Sequence, residues 1–597
     1  MTDLSSASDW KANRWRSIFC SCSRMVVSND INREVLTAKR DSCPRAELLG
    51  IFIPEGSRTE RAVALTVFVT ACAYLSVFRR YTAMEPDEGI VLQGAQRILG
   101  GEVLYRDFFS FFTPGSYYFL ALIFKIFGSS IIVARTALVI FGAAFSAITY
   151  VLCRRVCSRG SALFVAAIIT LSTLPYRFLV LHNWDSTLWA CLSVYCAVRL
   201  IETRGRAWAF AGGSFIALTF LFEQSKGAGL ALGLCAGLLA IHLMGGLILT
   251  RAEIVYFAIG IAWPFTPTLA YFASQHSLSL MFADWFWPLR HYSLANHVPY
   301  GYQNWSEETR RTLFAGAPLA ARVVTVIALS PCFLVPMLPI TAVGMLVYWL
   351  VQIVRRQAPE SKANYYVLTT AALGGLLLSI VIGRADVIHF MYLLPLLSLV
   401  LAWMIDGRDI PGRIYTTVRP WLTAYIAIAF ALFGMALLVR AVGAHHNVTT
   451  RRGQITVPAN DTVVNYVQAH VLRNESVLVY PYLPLYYYLT ATYSPTHYEY
   501  FQPGMHTRLQ ADELVSQLSS KQARVILFEP GFAEKIPRSW PGTPLFATTT
   551  DPVADYILRE YHNCETLQSA NKSRFLFMIR KDLSCPSVST RELAEKW

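Results

Sequence analysis

Residues 62–78 (AVALTVFVTACAYLSVF) run into an acidic turn, Met84-Glu85-Pro86-Asp87-Glu88-Gly89. The first stretch approaches the ~20 apolar residues that a helix needs to cross hydrocarbon. The second places two adjacent carboxylates just beyond its end. The polar run continues through Leu104-Tyr105-Arg106-Asp107-Phe108-Phe109 to Thr113-Pro114-Gly115. A loop of this kind at a membrane surface is a natural place for chemistry.

The same apolar texture recurs along the chain. Candidate spans follow at roughly 131–152, 161–180, 187–201, 208–222, 227–247, 253–274, 322–352, 365–383, 388–405 and 421–442, about eleven in all. Of the 597 residues, 54% are hydrophobic and only 15% charged, with a mean hydropathy of +0.40. Soluble domains carry about a quarter charged residues. The expected fold is therefore mainly α and polytopic, in the cell inner (plasma) membrane. A formal charge of +14 needs no nucleic acid, because basic loops at membrane lipids and an anionic lipid head group account for it.

Ser116–Phe127 is apolar but too short to span, and Lys125 lies within it. The reading adopted is an interfacial helix in a first outer loop covering 80–130, with a short span as the alternative. The interfacial reading gathers the loops at 153–159, 202–206, 251, 355–362 and 406–419 on one side, with about 12 Lys/Arg in under 40 residues. By the positive-inside rule, residues 1–60 form a cytoplasmic, largely disordered tail and 61–443 the transmembrane module. Residues 444–597 then lie outside, as a small α/β domain. Its β-type runs are Ser476–Tyr480, Arg524–Phe528 and Arg574–Arg580, with helical patterns at 461–473 and 512–521. Cys564 and Cys585 either pair there or remain free thiols. Cys20 and Cys22, one residue apart in the tail, are a weak signal for a metal.

The polar residues at the outer span ends form a candidate site. Asp87 suits a general base, because partial desolvation at a helix end raises a carboxyl toward working pH. Equally, Asp87 and Glu88 can cap a helix starting near Gly89. Arg106 and Asp107 follow in the same loop. His182-Asn183-Trp184-Asp185, Glu223-Gln224-Ser225-Lys226 and Gly383-Arg384-Ala385-Asp386-Val387-Ile388-His389 supply the rest. Arg384 and Lys226 are phosphate partners or snorkelling cations. His389 orients a phosphate or sugar hydroxyl, or merely starts a helix. Trp184 and Asp284-Trp285-Phe286-Trp287 stack on sugars or belong to an aromatic belt.

In this order the motifs resemble the GT-C membrane glycosyltransferases. The likeness is to the bacterial family 39-like group, related to protein O-mannosyltransferases and the lipid A aminoarabinose transferase. It covers roughly 62–405 and is strongest at Pro86–Gly89, Tyr105–Asp107, Thr113–Gly115 and Gly383–Asp386 with His389. It implies a GT-C-like fold and a polyprenyl-phosphate sugar donor. It further implies inverting transfer, on the extracytoplasmic face, to a glycan, lipid or protein acceptor hydroxyl. Asp87 then matches the acid that deprotonates or orients that hydroxyl, with Glu88 beside it. Asp107 and Asp185 match further outer acids, and Arg384 meets the donor phosphate. Asp386 and His389 sit beside it. Relatives often show Pro-Pro where this chain has Thr113-Pro114, and a nearby Lys is missing. No cofactor is required, although a divalent cation would fit if Asp87, Glu88 and Asp185 converged. The competing classes are a lipid-linked glycan polymerase or ligase, a transporter or flippase of the cell envelope, and a non-catalytic scaffold.

Overall fold

The computed structural model describes residues 58–245, 249–305, 311, 318–355, 360–406, 413–544 and 550–586. The expected N-terminal tail, with Cys20 and Cys22, falls outside them apart from its last positions. Each of the eleven apolar stretches is helical. They are α1 (Arg58–Leu75), α4 (Ile131–Cys153), α5 (Arg159–Tyr176), α6 (His182–Thr203), α7 (Arg206–Phe222), α8 (Gln224–Leu243) and α9 (Arg251–Ser274). After them come the broken span α11 (Leu319–Leu329) and α12 (Pro331–Val354), then α13 (Glu360–Gly383), α14 (Val387–Asp406) and α15 (Arg413–Val442). Among the described residues, nine helical stretches are long and apolar enough to cross a membrane. The protein is a multi-pass membrane protein.

The two remaining stretches are informative. The α7 helix has 17 residues, and α6 carries Asp185, Arg199 and Glu202. Nearly the whole surface of α6 is buried against other helices, so its polar groups meet protein rather than lipid. By contrast α9 buries little, and Ile254, Val255, Ile259 and Trp263 stand exposed along it.

The loop between α1 and α4 contains α2 (Pro86–Leu99) and α3 (Gly115–Phe127). With 13 residues, α3 is about 20 Å long, short of the ~30 Å hydrocarbon core. It buries Tyr117, Leu120, Ala121 and Phe124 and exposes Leu122, Ile126 and Phe127. Beyond it, α10 (Leu278–Trp287) follows α9.

Small residues let α8 and α13 touch backbone to backbone. A Cβ on Gly229 would lie 2.4 Å from the Gly375 carbonyl, and one on Gly233 2.4 Å from that of Ala371. In lipid, such contact supplies the dispersion attraction that hydrophobicity cannot.

The C-terminal part begins with a hairpin, β1 (His446–Thr450) and β2 (Gly453–Val457). A four-stranded sheet follows in the order β3-β4-β6-β5. Its strands are β3 (Val477–Tyr480), β4 (Val525–Phe528), β5 (Tyr561–Gln568) and β6 (Arg574–Arg580). Strands β3 and β4 are parallel and the other pairings antiparallel. Helices α16 (Thr462–His470), α17 (Leu485–Thr490), α18 (Arg508–Lys521) and α19 (Pro552–Glu560) intervene. All three anticipated strands form. Strand β5 (YHNCETLQ) is too polar to announce itself. Cys564 and Cys585 form a disulfide.

This part packs directly on the first loop. Thr82 N–H donates to the Thr456 carbonyl (2.9 Å) and Thr456 N–H to that of Arg80 (2.8 Å). Gly89 of α2 lies so close to α17 that a Cβ there would be 2.0 Å from the Leu485 nitrogen. Gly229→Val should therefore wedge α8 from α13 and cost about 1–3 kcal/mol, read as a lower unfolding temperature in detergent. Gly374→Ala, which points into open space, should leave that temperature unchanged or raised.

Candidate functional site

Met84 takes a left-handed backbone (φ 53°) and turns the chain into Pro86, the first residue of α2. Its carbonyl accepts from Asn571 Nδ2 at 3.1 Å. The helix has no side-chain cap. Asp87 and Glu88 thus lie in its first turn, where carboxylates suit the dipole, and are free to bond elsewhere.

They part company there. Glu88 is fully buried and forms a two-pronged ion pair with the equally buried Arg135 of α4, at 2.9 and 2.6 Å. Val180 N–H donates to the same carboxylate, while Arg135 also donates to the Tyr81 carbonyl at 2.6 Å. Asp87 instead keeps 28% of its side-chain surface exposed. Its Oδ2 accepts from Arg177 at 2.7 Å and its Oδ1 from the Tyr482 phenol at 2.8 Å. Burial raises its pKa, but Arg177 and the Tyr482 hydrogen bond outweigh that, and the carboxyl titrates below its usual range.

Arg177, at the end of α5, is the hub of this group. Besides Asp87 it donates to Glu85 (2.6 Å) and to the Tyr392 phenol of α14 (2.9 Å). The Tyr392 ring lies 5.8 Å from that of His389. His389 Nδ1 is 2.7 Å from Asp386 Oδ1, which also accepts the His389 backbone N–H. Arg384 bonds the other Asp386 oxygen at 2.5 Å, with further bonds to Asn296 and the Ser539 carbonyl. Burial raises the Asp386 carboxyl, but His389 and Arg384 drive it well below the usual range. Two polar clusters, Asp87–Arg177–Tyr392 and His389–Asp386–Arg384, thus meet where the Tyr392 and His389 rings pack edge to face.

The other candidates lie elsewhere. Lys226 is buried, with its ammonium surrounded by Glu223 and the Asn183 carbonyl (both 2.8 Å) and the Ser186 and Thr187 hydroxyls. That is a satisfied internal ion pair, not a snorkelling cation. Asp185 accepts from Ser116 Oγ at 2.6 Å and ties α6 to the start of α3. Arg106 and Asp107 pair with each other and approach Gln275. The Asp107 carbonyl is held by Arg97, ten residues and about 15 Å along α2 from Asp87. The expected metal set does not assemble, since Glu88 pairs with Arg135 and Asp185 with Ser116. Among the described residues, the three groups near enough to share an ion are His562, Cys564 and Cys585, and the disulfide occupies both sulfurs. Trp184 is fully buried, with its N–H on the Arg177 carbonyl (3.1 Å). Trp285 donates to the Tyr105 phenol (2.8 Å). Both are packing residues.

Sequence reasoning missed Arg177, Tyr392 and Tyr482. Arg177 carried a signal, a cation inside the apolar run 161–180. Tyr482 carried none, being one tyrosine among many in a distant segment.

Removing the Glu88 carboxylate strands a buried guanidinium, so Glu88→Ala should cost about 3–5 kcal/mol by thermal unfolding in detergent. The swap Glu88→Leu with Arg135→Met should recover much of that loss.

Residues 112–271 match the family model described as dolichyl-phosphate-mannose-protein mannosyltransferase. The matched stretch holds Arg177, His182, Asp185 and Lys226 and ends before Arg384; Asp87 precedes it. Searching the curated proteins finds no match. Among solved structures, the chain is similar to the Archaeoglobus fulgidus oligosaccharyltransferase in complex with Zn and sulfate. The TM-score is 0.46 at 11% identity, covering 85% of this chain and 72% of that one. It is also similar to ArnT from Cupriavidus metallidurans bound to undecaprenyl phosphate (0.45, 11%, 89% and 100%) and in the apo state (0.42, 12%, 91% and 100%). The family match bears out the resemblance to GT-C membrane glycosyltransferases read from the sequence.

Proposed function

We propose that the protein transfers a sugar from a polyprenyl-phosphate donor to an acceptor hydroxyl on the extracytoplasmic face, with inversion at the anomeric carbon. The observation that carries this reading is Asp87, fixed at the opening of α2 by Arg177 and Tyr482 yet still partly exposed. The family match over 112–271 supports it.

A carboxylate offers about four lone-pair sites, and Asp87 has committed one on each oxygen. Room remains for an acceptor hydroxyl. As the acceptor oxygen bonds to the anomeric carbon, its proton passes to Asp87. The bond from that carbon to the phosphate oxygen breaks on the opposite side, and the phosphate keeps the electron pair. Phosphate is a good leaving group already, so positioning and charge complementarity supply most of the help. Arg384, fixed by Asp386, provides positive charge for the donor phosphate, and His389, held by the same carboxylate, a ring nitrogen. Because it titrates low, Asp87 works as an ionised, orienting acceptor of the proton rather than a strong base. Glu88 then positions the loop, Asp185 and Lys226 brace α6, and Arg106 with Asp107 shape the far end of α2.

Transfer from radiolabelled polyprenyl-phosphate sugars by purified protein tests the reading. Asp87→Asn should fall at least a hundredfold while unfolding at the wild-type temperature. Turnover unaffected by that change would remove Asp87 from the reaction.

The acid limb of the pH profile follows from the same geometry. Activity needs ionised Asp87, so it is lost as pH falls through that group's depressed pKa. The limb should lie below the ordinary aspartate value of about 4. Tyr482→Phe removes one lowering influence and should move the limb upward.

A further inference from the structure

Asp87 is flanked by aromatic side chains, one of which, Tyr482, also holds its carboxylate. Tyr482, Tyr292 and Trp540 are each partly exposed. The Tyr482 and Trp540 rings meet edge to face, 5.9 Å apart at 89°, and Trp540 Nε1 donates to the Tyr292 phenol at 2.9 Å. Tyr292 packs on Phe111, with ring centroids 5.5 Å apart, and Phe111 in turn on Phe112 at 4.5 Å. Phe112, also partly exposed, lies 4.1 Å from the His182 ring.

Two polar atoms behind the rim have no partner. His182 is 8% exposed and its Nδ1 makes no hydrogen bond; Tyr500 is 3% exposed and its phenol makes none. His182 packs on Phe112 and Phe112 on Phe111, whose ring lies 6.4 Å from that of Tyr500, and the Tyr500 ring is 5.5 Å from that of Tyr482. Leaving a buried polar atom without a partner is unfavourable. Two of them beside one half-open carboxylate call for a ligand that brings its own donors and acceptors.

We infer that Tyr292, Tyr482 and Trp540, with Phe112, His182 and Tyr500, form an acceptor subsite for a neutral saccharide ring. Aromatic faces match the apolar C–H face of a sugar. An imidazole and a phenol, both able to donate or accept, match its hydroxyls. Neither group is the cation that a phosphate would select. An extended peptide would look for a free strand edge, and the edge of β3, which leads into Tyr482, is already taken. Val477 N–H donates to the Tyr493 carbonyl (3.0 Å) and Val479 N–H to the Tyr487 phenol (2.7 Å).

The inference rests on the transferase reading above, and two measurements on the full-length protein in detergent separate them. Ligand-observed NMR with neutral hexose oligosaccharides reads binding without any donor. Transfer from labelled polyprenyl-phosphate sugar, to the same oligosaccharides or to a threonine-containing peptide, reads turnover. Binding should be saturable, at least tenfold weaker in Trp540→Ala and restored in Trp540→Phe. With the oligosaccharide as acceptor, Trp540→Ala should raise its KM at least tenfold while changing kcat and the donor KM less than threefold. Absence of oligosaccharide binding, or transfer to the peptide alone, would overturn the saccharide subsite and leave the transferase standing. Saccharide binding lost in Trp540→Ala, without turnover of any donor, would support the subsite and sink the transferase.

Discussion

Everything around the first loop of this molecule depends on one buried ion pair, Glu88 with Arg135. Removing two charges from water costs several kcal/mol each before attraction is counted. The pair survives because every prong is used: Arg135 also holds the backbone at Arg79 and Tyr81, and Glu88 also holds Val180. In hydrocarbon-like surroundings those bonds have no water to replace them. The outcome is geometric more than energetic. The end of α1, the start of α2, the body of α4 and the turn after α5 are locked to one point, and Asp87, one residue before Glu88, inherits that rigidity.

Adjacent carboxylates therefore do opposite work. A one-residue step along a helix is a rotation of about 100°, enough to send Glu88 into the helix bundle and leave Asp87 partly exposed. The sequence shows both acids as one motif. Only the packing of α4 decides which is spent on structure.

Legibility followed the range of the interaction. The apolar runs announced the helices because length and composition alone meet the bilayer's demand, and the strands at Val477, Val525 and Arg574 announced themselves by β-branched and aromatic runs. Arg384, Asp386 and His389 were legible as a unit because five residues hold them together. Lys226 was legible only as a neighbour of Glu223, because the Asn183, Ser186 and Thr187 oxygens that complete its shell lie about 40 residues upstream on α6. Arg177, 90 residues from Asp87, and Tyr482, 395 residues away, were not legible. No local pattern encodes such pairings; they exist only once α5 and the C-terminal sheet are docked.

The reach of Tyr482 back to Asp87 bears on how such a protein comes into being. Synthesis delivers Asp87 395 residues before Tyr482, so the newly made first loop lacks one of the two groups that fix its carboxylate. The β1–β2 hairpin, made between the two and clipped to residues 80–82, ties the C-terminal part to that loop. A chain that stopped short of residue 482 would hold Asp87 by Arg177 alone.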